Sequence, residues 1–168
     1  YVSMAEMLKR EVIQGKRSFV VSGTHGKTTT TTMLAWIFEH AGKDPGFMIG
    51  GVPENFESGA RFTHSDLFVI EGDEYDTAYF DKGPKFLHYR PWVAVLTNVE
   101  FDHADIFADD AAVDDAFRRF LRLLPPDGAL FVCGDEARAL GLARAEARSP
   151  LHTYGLGATS WLRAVDPV

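Results

Sequence analysis

The sequence predicts an α/β fold, a doubly wound and mostly parallel sheet with P-loop-type topology, and three observations carry that expectation. Short apolar runs rich in β-branched residues alternate with segments of helical periodicity. The first strand-to-helix junction is a turn containing two glycines and a lysine, in "FVVSGTHGKTTTTTMLAWIF" (19–38). The polar residues least suited to a core, Glu71 and the pair Thr97–Asn98, fall where apolar strands end, and in such sheets ligands bind outside the carboxyl ends of strands.

Taken in order, the chain opens on a helix. Ser3 and Glu6 have the spacing of a capping box, with Val2 and Met7 placed for a hydrophobic staple. "SFVVS" (18–22) fits a buried parallel strand. From residue 28 to 41 the apolar residues Met33, Leu34, Trp36, Ile37, Phe38 and Ala41 recur at helical spacing, and Gly42 supplies a stop. "GFMIG" (46–50), "LFVIE" (67–71) and "VAVLTN" (93–98) read as further strands. "DDAAVDDAFRRFLRLLPP" (109–126) is an amphipathic helix capped by Asp109 or Asp110 and stopped by Pro125–Pro126. "GALFVCG" (128–134) is a strand leading to a short helix in "DEARALGLARA". The last eighteen residues read as short strands of a less regular region. Residues 72–92 form a long aromatic-rich connection, suited to shaping a pocket or to covering a sheet edge.

The 168 residues, 46% hydrophobic, suit one domain with a sizeable core. The formal net charge of −7 argues against nucleic acid or an anionic membrane as partner. The single cysteine, Cys133, excludes an internal disulfide framework. No apolar run approaches the ~20 residues of a membrane span, and no signal peptide opens the chain. A cytoplasmic location is expected. The chain begins on Tyr1 and stops in "WLRAVDPV", so it reads as a truncated piece of a longer protein, one domain over 1–168.

A glycine-rich turn between strand and helix aims backbone N–H groups at an anion, and the helix N-terminus adds roughly +0.5 charge. Gly23 and Gly26 permit the turn, Lys27 can reach β/γ-phosphate oxygens, and the Thr28 hydroxyl can ligate Mg²⁺. Thr24, His25 and Thr29 complete the loop. Val21 stands where the full Walker spacing requires glycine, so "GTHGKT" is a shortened variant; the alternative is a structural turn with an exposed lysine. "EGDEYD" (71–76) sets four carboxylates beside this loop, where Mg²⁺ would find hard oxygen ligands, although an acidic run alone is also what a solvated loop looks like. "NVEFDHAD" brings Asp102 and His103 to the neighbouring strand end, His103 as a candidate metal ligand or a hydrogen-bonded loop histidine. His40, His64 and His152 lack any constellation.

"GTHGKTTT", "VIEGDEYD" and "TNVEFDHADIF", in this order and spacing, resemble the central ATP-binding domain of the Mur ligases, which form the amide bonds of peptidoglycan, over residues 1–160. Within the family the 72–92 connection and "EFDHADIF" look most like the peptidoglycan-recycling branch. The resemblance implies ATP and Mg²⁺, with UDP-N-acetylmuramate and a peptide, L-Ala-γ-D-Glu-meso-diaminopimelate, as substrates. It also implies a two-step reaction through an acyl phosphate. Lys27, Glu71 and His103 would be the catalytic group, Thr28, Glu71 and His103 the metal ligands, and Asn98 and Asp102 supporting residues. The family's N-terminal UDP-binding and C-terminal domains are not in this chain, its stretch near the adenine is not visible, and the piece by itself is expected to be inactive. The alternatives are the alanine-adding ligase of the same family, a P-loop hydrolase or switch module, and a fold-bearing piece that binds nothing alone.

Overall fold

The computed structural model describes residues 1–102 and 106–166. Its elements, in chain order, are α1 (Met4–Leu8), continued by a π-helical turn over Lys9–Ile13, then β1 (Arg17–Ser22), α2 (Lys27–His40), β2 (Gly46–Met48), β3 (Ala60–Arg61) and β4 (Leu67–Gly72). The hairpin strands β5 (Asp76–Ala78) and β6 (Asp81–Pro84) follow, with a 3₁₀ turn over Lys85–His88. β7 (Val93–Leu96), α3 (Asp110–Leu121), β8 (Ala129–Cys133), α4 (Ala137–Glu146), β9 (Leu151–Gly155) and β10 (Leu162–Arg163) complete the chain. Eight strands form one sheet in the order β10-β9-β8-β7-β1-β4-β2-β3. Every pairing in it is parallel except β2 with the edge strand β3.

The period of two explains the two cores. Val20, Phe68, Ile70, Ala94, Leu96, Leu130 and Val132 face one side, where they meet Phe86, Tyr89 and the apolar stripe Val113, Phe117, Phe120 and Leu121 of α3. Phe47 and Val69 face the other side and meet Ala35 of α2, with Phe19, Leu34 and Phe38 around them. β1 and β4, buried on both faces, therefore read as continuous apolar runs.

Helix ends follow their sequence signals. Ser3 Oγ accepts from the Glu6 N–H (3.2 Å) and Asp109 Oδ1 from the Ala112 N–H (2.9 Å). Gly42, at φ 68°, ends α2, its N–H donating to the Glu39 carbonyl (2.9 Å). The Glu6 side chain does not complete a capping box; it binds Lys9, Arg10 and His88. Val2 and Met7 are both exposed.

Three readings change. The buried face of α2 is made of Thr31 and Ala35, whereas Met33, Trp36 and Ile37 are exposed, because small side chains bring the helix close to the sheet. The short strands expected near the end of the chain, β9 and β10, are not apart from the sheet but extend it in parallel. The 72–92 connection folds as a hairpin and a 3₁₀ turn that places Phe86 in the core against Phe117 and Phe120. His152 is also placed, in a cluster with the rings of Phe131 and Trp161. Among the described residues no helix is long and apolar enough to cross a membrane.

Candidate functional site

β1, β4 and β7 are adjacent, with Ser22 in register with Gly72 on one side and Leu96 on the other. Their carboxyl ends therefore deliver the glycine turn, the acidic run and Thr97–Asn98 to one rim. The turn lies flat on the β7 end. The Thr24 N–H donates to the Asn98 carbonyl (3.1 Å), and the His25 N–H to Asn98 Oδ1 (2.8 Å). Thr97 Oγ1 donates to the His25 carbonyl (2.7 Å). Gly23 is required by this seating. Its φ is 139°, and a Cβ there would collide with Thr97 Oγ1 and lie 2.9 Å from the Asn98 carbonyl oxygen. Gly26, at φ 79°, then turns the chain into α2 as its N-cap. The first-turn N–H groups of a helix have no intrahelical acceptors, so the mouth of the turn is electropositive.

Four of the five threonines that begin α2 have a use visible in the structure. Thr28 Oγ1 donates to Glu71 Oε1 (2.9 Å). Thr31 and Thr32 return their hydroxyls to the Lys27 and Thr28 carbonyls (2.7 and 2.8 Å), which lets a hydroxyl be buried with its hydrogen bond made. Thr29 stays exposed at the mouth. A cleft of about 570 Å³ opens here, lined by residues 24–29 together with Gly50, Glu71, Asp73 and Tyr75.

Glu71 projects from the end of β4 between two donors, the Thr28 hydroxyl at Oε1 and the Gly50 N–H at Oε2 (2.8 Å). Asp73 pairs with Lys85 (2.6 Å) and Asp76 with Lys82 (2.9 Å). Behind Glu71, burial together with the Asp73 and Glu71 charges pushes the Tyr89 phenol well above its usual range, so it stays neutral.

Lys27 is not extended into the cleft. Its Nζ donates to the Gly23 and Thr24 carbonyls (2.8 and 3.1 Å) and lies 3.0 and 2.9 Å from the two carboxylate oxygens of Glu74. Glu74 appeared in the sequence only as one of an acidic run; its burial, at 3% exposure, is what separates it from the others. No sequence signal marks that difference.

The structure thus brings Thr24, His25, Gly26, Lys27, Thr28, Thr29 and Glu71 to one cleft, with Gly23 seated against Thr97 and Asn98, and Asn98 under the loop rather than in its mouth. His103 lies outside the described residues. Among the described residues no three His, Cys, Asp or Glu side chains converge on a ready-made metal site. A hydroxyl and a carboxylate 2.9 Å apart do fit Mg²⁺, which takes a few hard protein oxygens and completes its shell with phosphate and water.

Comparison with known proteins gives the family of the chain. The Mur ligase middle domain family matches residues 21–166. The chain is 50% identical over 130 residues, 77% of its length, to the UDP-N-acetylmuramate–L-alanyl-γ-D-glutamyl-meso-2,6-diaminoheptandioate ligase of Escherichia coli strain K12, of which it covers 28%. It is 42% identical over 155 residues, 90% of its length, to the UDP-N-acetylmuramate–L-alanine ligase of Salinispora tropica, covering 29% of that protein. The crystal structure of the UDP-N-acetylmuramate:L-alanyl-γ-D-glutamyl-meso-diaminopimelate ligase from Neisseria meningitides superposes with a TM-score of 0.89 at 44% identity, over 96% of this chain and 52% of that one. The chain spans less than a third of the length of these two curated relatives. From the order of its motifs and the fold that joins them, the chain belongs to the Mur ligase family and carries that family's middle domain.

Proposed function

We propose that this chain is the nucleotide-binding middle domain of an ATP-dependent carbon–nitrogen ligase joining UDP-N-acetylmuramate to the peptide L-Ala-γ-D-Glu-meso-diaminopimelate, in the cytoplasm. The observation that carries the nucleotide reading is the meeting of Thr28 and Glu71, 2.9 Å apart, at the mouth of a glycine turn that opens a helix. The peptide substrate is favoured over alanine because the tripeptide ligases are 50% and 45% identical to the chain, and the Salinispora alanine ligase 42%.

Phosphoryl transfer asks a protein for positioning and charge neutralisation more than for covalent chemistry. Residues 23–28 would cradle the polyphosphate, with the first turn of α2 facing it. Lys27 would follow the charge that moves with the γ-phosphoryl group as it passes to the lactyl carboxylate. Mg²⁺, when bound, supplies charge neutralisation between phosphate oxygens, and Thr28 and Glu71 would hold it. His103, by its place in the motif, is proposed as the ligand of a second metal ion. Attack of the peptide amine on the acyl phosphate then releases phosphate and leaves the amide. Asn98 would act through the loop, fixing His25.

Phosphate release by the full-length protein, with ATP, Mg²⁺ and UDP-N-acetylmuramate, tests this reading. It should depend on the sugar nucleotide and be strongly favoured by the tripeptide over L-alanine. Preference for alanine would move the protein to the other branch. Release indifferent to both substrates would make it a nucleotide hydrolase.

A further inference from the structure

Lys27 has three N–H donors, each with an acceptor in reach. Two lead to carbonyls of its own loop, Gly23 and Thr24. The remaining partner, the one charged partner among the described residues, is the carboxylate of Glu74. A lysine that serves a polyphosphate must turn at least one donor to a phosphate oxygen, and the backbone carbonyls cannot neutralise its charge. We propose that Glu74 is the resident counter-ion of Lys27, standing where a nucleotide's β/γ-phosphate oxygens must come, so that nucleotide binding is an exchange of one anion for another. This rests on the reading of residues 23–28 as a phosphate loop.

The pairing belongs to the fold rather than to a wandering side chain. Glu74 is 3% exposed and the Lys27 side chain 13%. The backbone on either side of Glu74 is fastened. Asp73 accepts from the Tyr75 N–H (3.1 Å) and binds Lys85, its carbonyl takes the Phe86 N–H (3.2 Å), and the Tyr75 carbonyl takes the Lys85 N–H (3.1 Å). The connection from β4 to β7 therefore carries two carboxylates to one loop, three residues apart: Glu71 to the Thr28 hydroxyl and Glu74 to the Lys27 ammonium. That is a use for the long connection beyond covering the sheet.

A sign follows that a purely structural ion pair would not give. A polyphosphate must take Lys27 from Glu74 and set its phosphate oxygens beside that buried carboxylate. Like charges so placed repel. Removing the charge while keeping the shape should therefore tighten binding of nucleotides with β- or γ-phosphates and leave AMP unaffected. At the same time the unliganded protein should lose stability, because Lys27 loses its partner.

The test is calorimetric titration of the full-length protein and its E74Q and K27A variants with ADP and with AMP, in Mg²⁺. E74Q should bind ADP roughly tenfold more tightly, with AMP unchanged, and melt at a lower temperature without ligand. ADP affinity unchanged or weakened in E74Q, while K27A lowers it, overturns the counter-ion and spares the phosphate loop. ADP affinity indifferent to K27A overturns the loop itself, and the counter-ion with it. If E74Q does not fold, E74D decides: its carboxylate is drawn back by one methylene, and ADP should bind more tightly relative to AMP than in the parent, an unchanged ratio overturning the proposal.

Discussion

Thr28 and Glu71 belong to different elements, 43 residues apart in sequence, yet the hydroxyl of one lies 2.9 Å from the carboxylate of the other. Glu71 is held on its second oxygen by the Gly50 N–H, so its position does not depend on Thr28 alone. Glu71→Gln keeps the shape and at least one of these hydrogen bonds but removes the charge a divalent ion needs. Mg²⁺-dependent enhancement of ADP binding should fall by tenfold or more, on the order of the 1.4 kcal/mol that a decade of affinity represents, while metal-free ADP binding changes little. Titration with and without Mg²⁺ reads both, and an undiminished metal effect would remove Glu71 from the metal site.

How much of this was legible in the sequence depends on what fixed each part. β1 and β4 are buried on both faces, so composition alone marks them. α2 is different: Met33, Trp36 and Ile37 keep helical spacing but are exposed, and the fully buried contact is made by Thr31 and Ala35, with Leu34 and Phe38 packed beside them. Counting apolar residues finds such a helix and misses its face, because close approach to a sheet selects small side chains over large ones. The hairpin of β5 and β6 was hidden for another reason. Its contacts are polar, Thr77 Oγ1 to the Gly83 carbonyl and Lys82 to Asp76, and leave no alternation to read. In the site, Glu71 was legible because a carboxylate closing an apolar strand has no structural excuse. Glu74 was not, since burial in a loop has no local signature.

Glu6 ties the first helix to the hairpin. Hydrogen bonds from Arg10, Lys9 and His88, in that order of weight, outrun the effect of burial and lower its pKa from 4.5 to about 2. His88 in turn bridges Glu6 and Asp81, 3.0 Å from each. A carboxylate whose folded pKa is depressed adds stability that is fully present above its unfolded value, near 4.5, and is lost as pH falls through about 2. Replacing it by Gln should flatten the acid limb of the stability curve between these values, most plainly below pH 4.5. Thermal unfolding of parent and E6Q across that range measures it, and parallel acid limbs would mean that the cluster does not persist in solution.

Thr24 clamps the glycine turn to the segment after β7, and it does so twice through one hydroxyl. Its Oγ1 accepts from the Glu100 N–H (2.8 Å) and donates to the Glu100 carbonyl (3.3 Å), with the side chain nearly buried. Valine has the same shape and neither function, so Thr24→Val leaves a backbone donor without its partner at a cost of about 1–3 kcal/mol. The loss falls on the contact that ties the turn to Glu100, beside its seat on Asn98, and a loosened loop must be ordered again when a polyphosphate binds. T24V should therefore lower the urea midpoint and weaken ADP binding together, whereas E74Q lowers stability and strengthens it. Opposite signs in ADP affinity from two destabilising changes in the same cleft would separate the residue that shapes the loop from the residue that competes for its lysine. A T24V protein of parental ADP affinity would show that the turn keeps its form without the clamp.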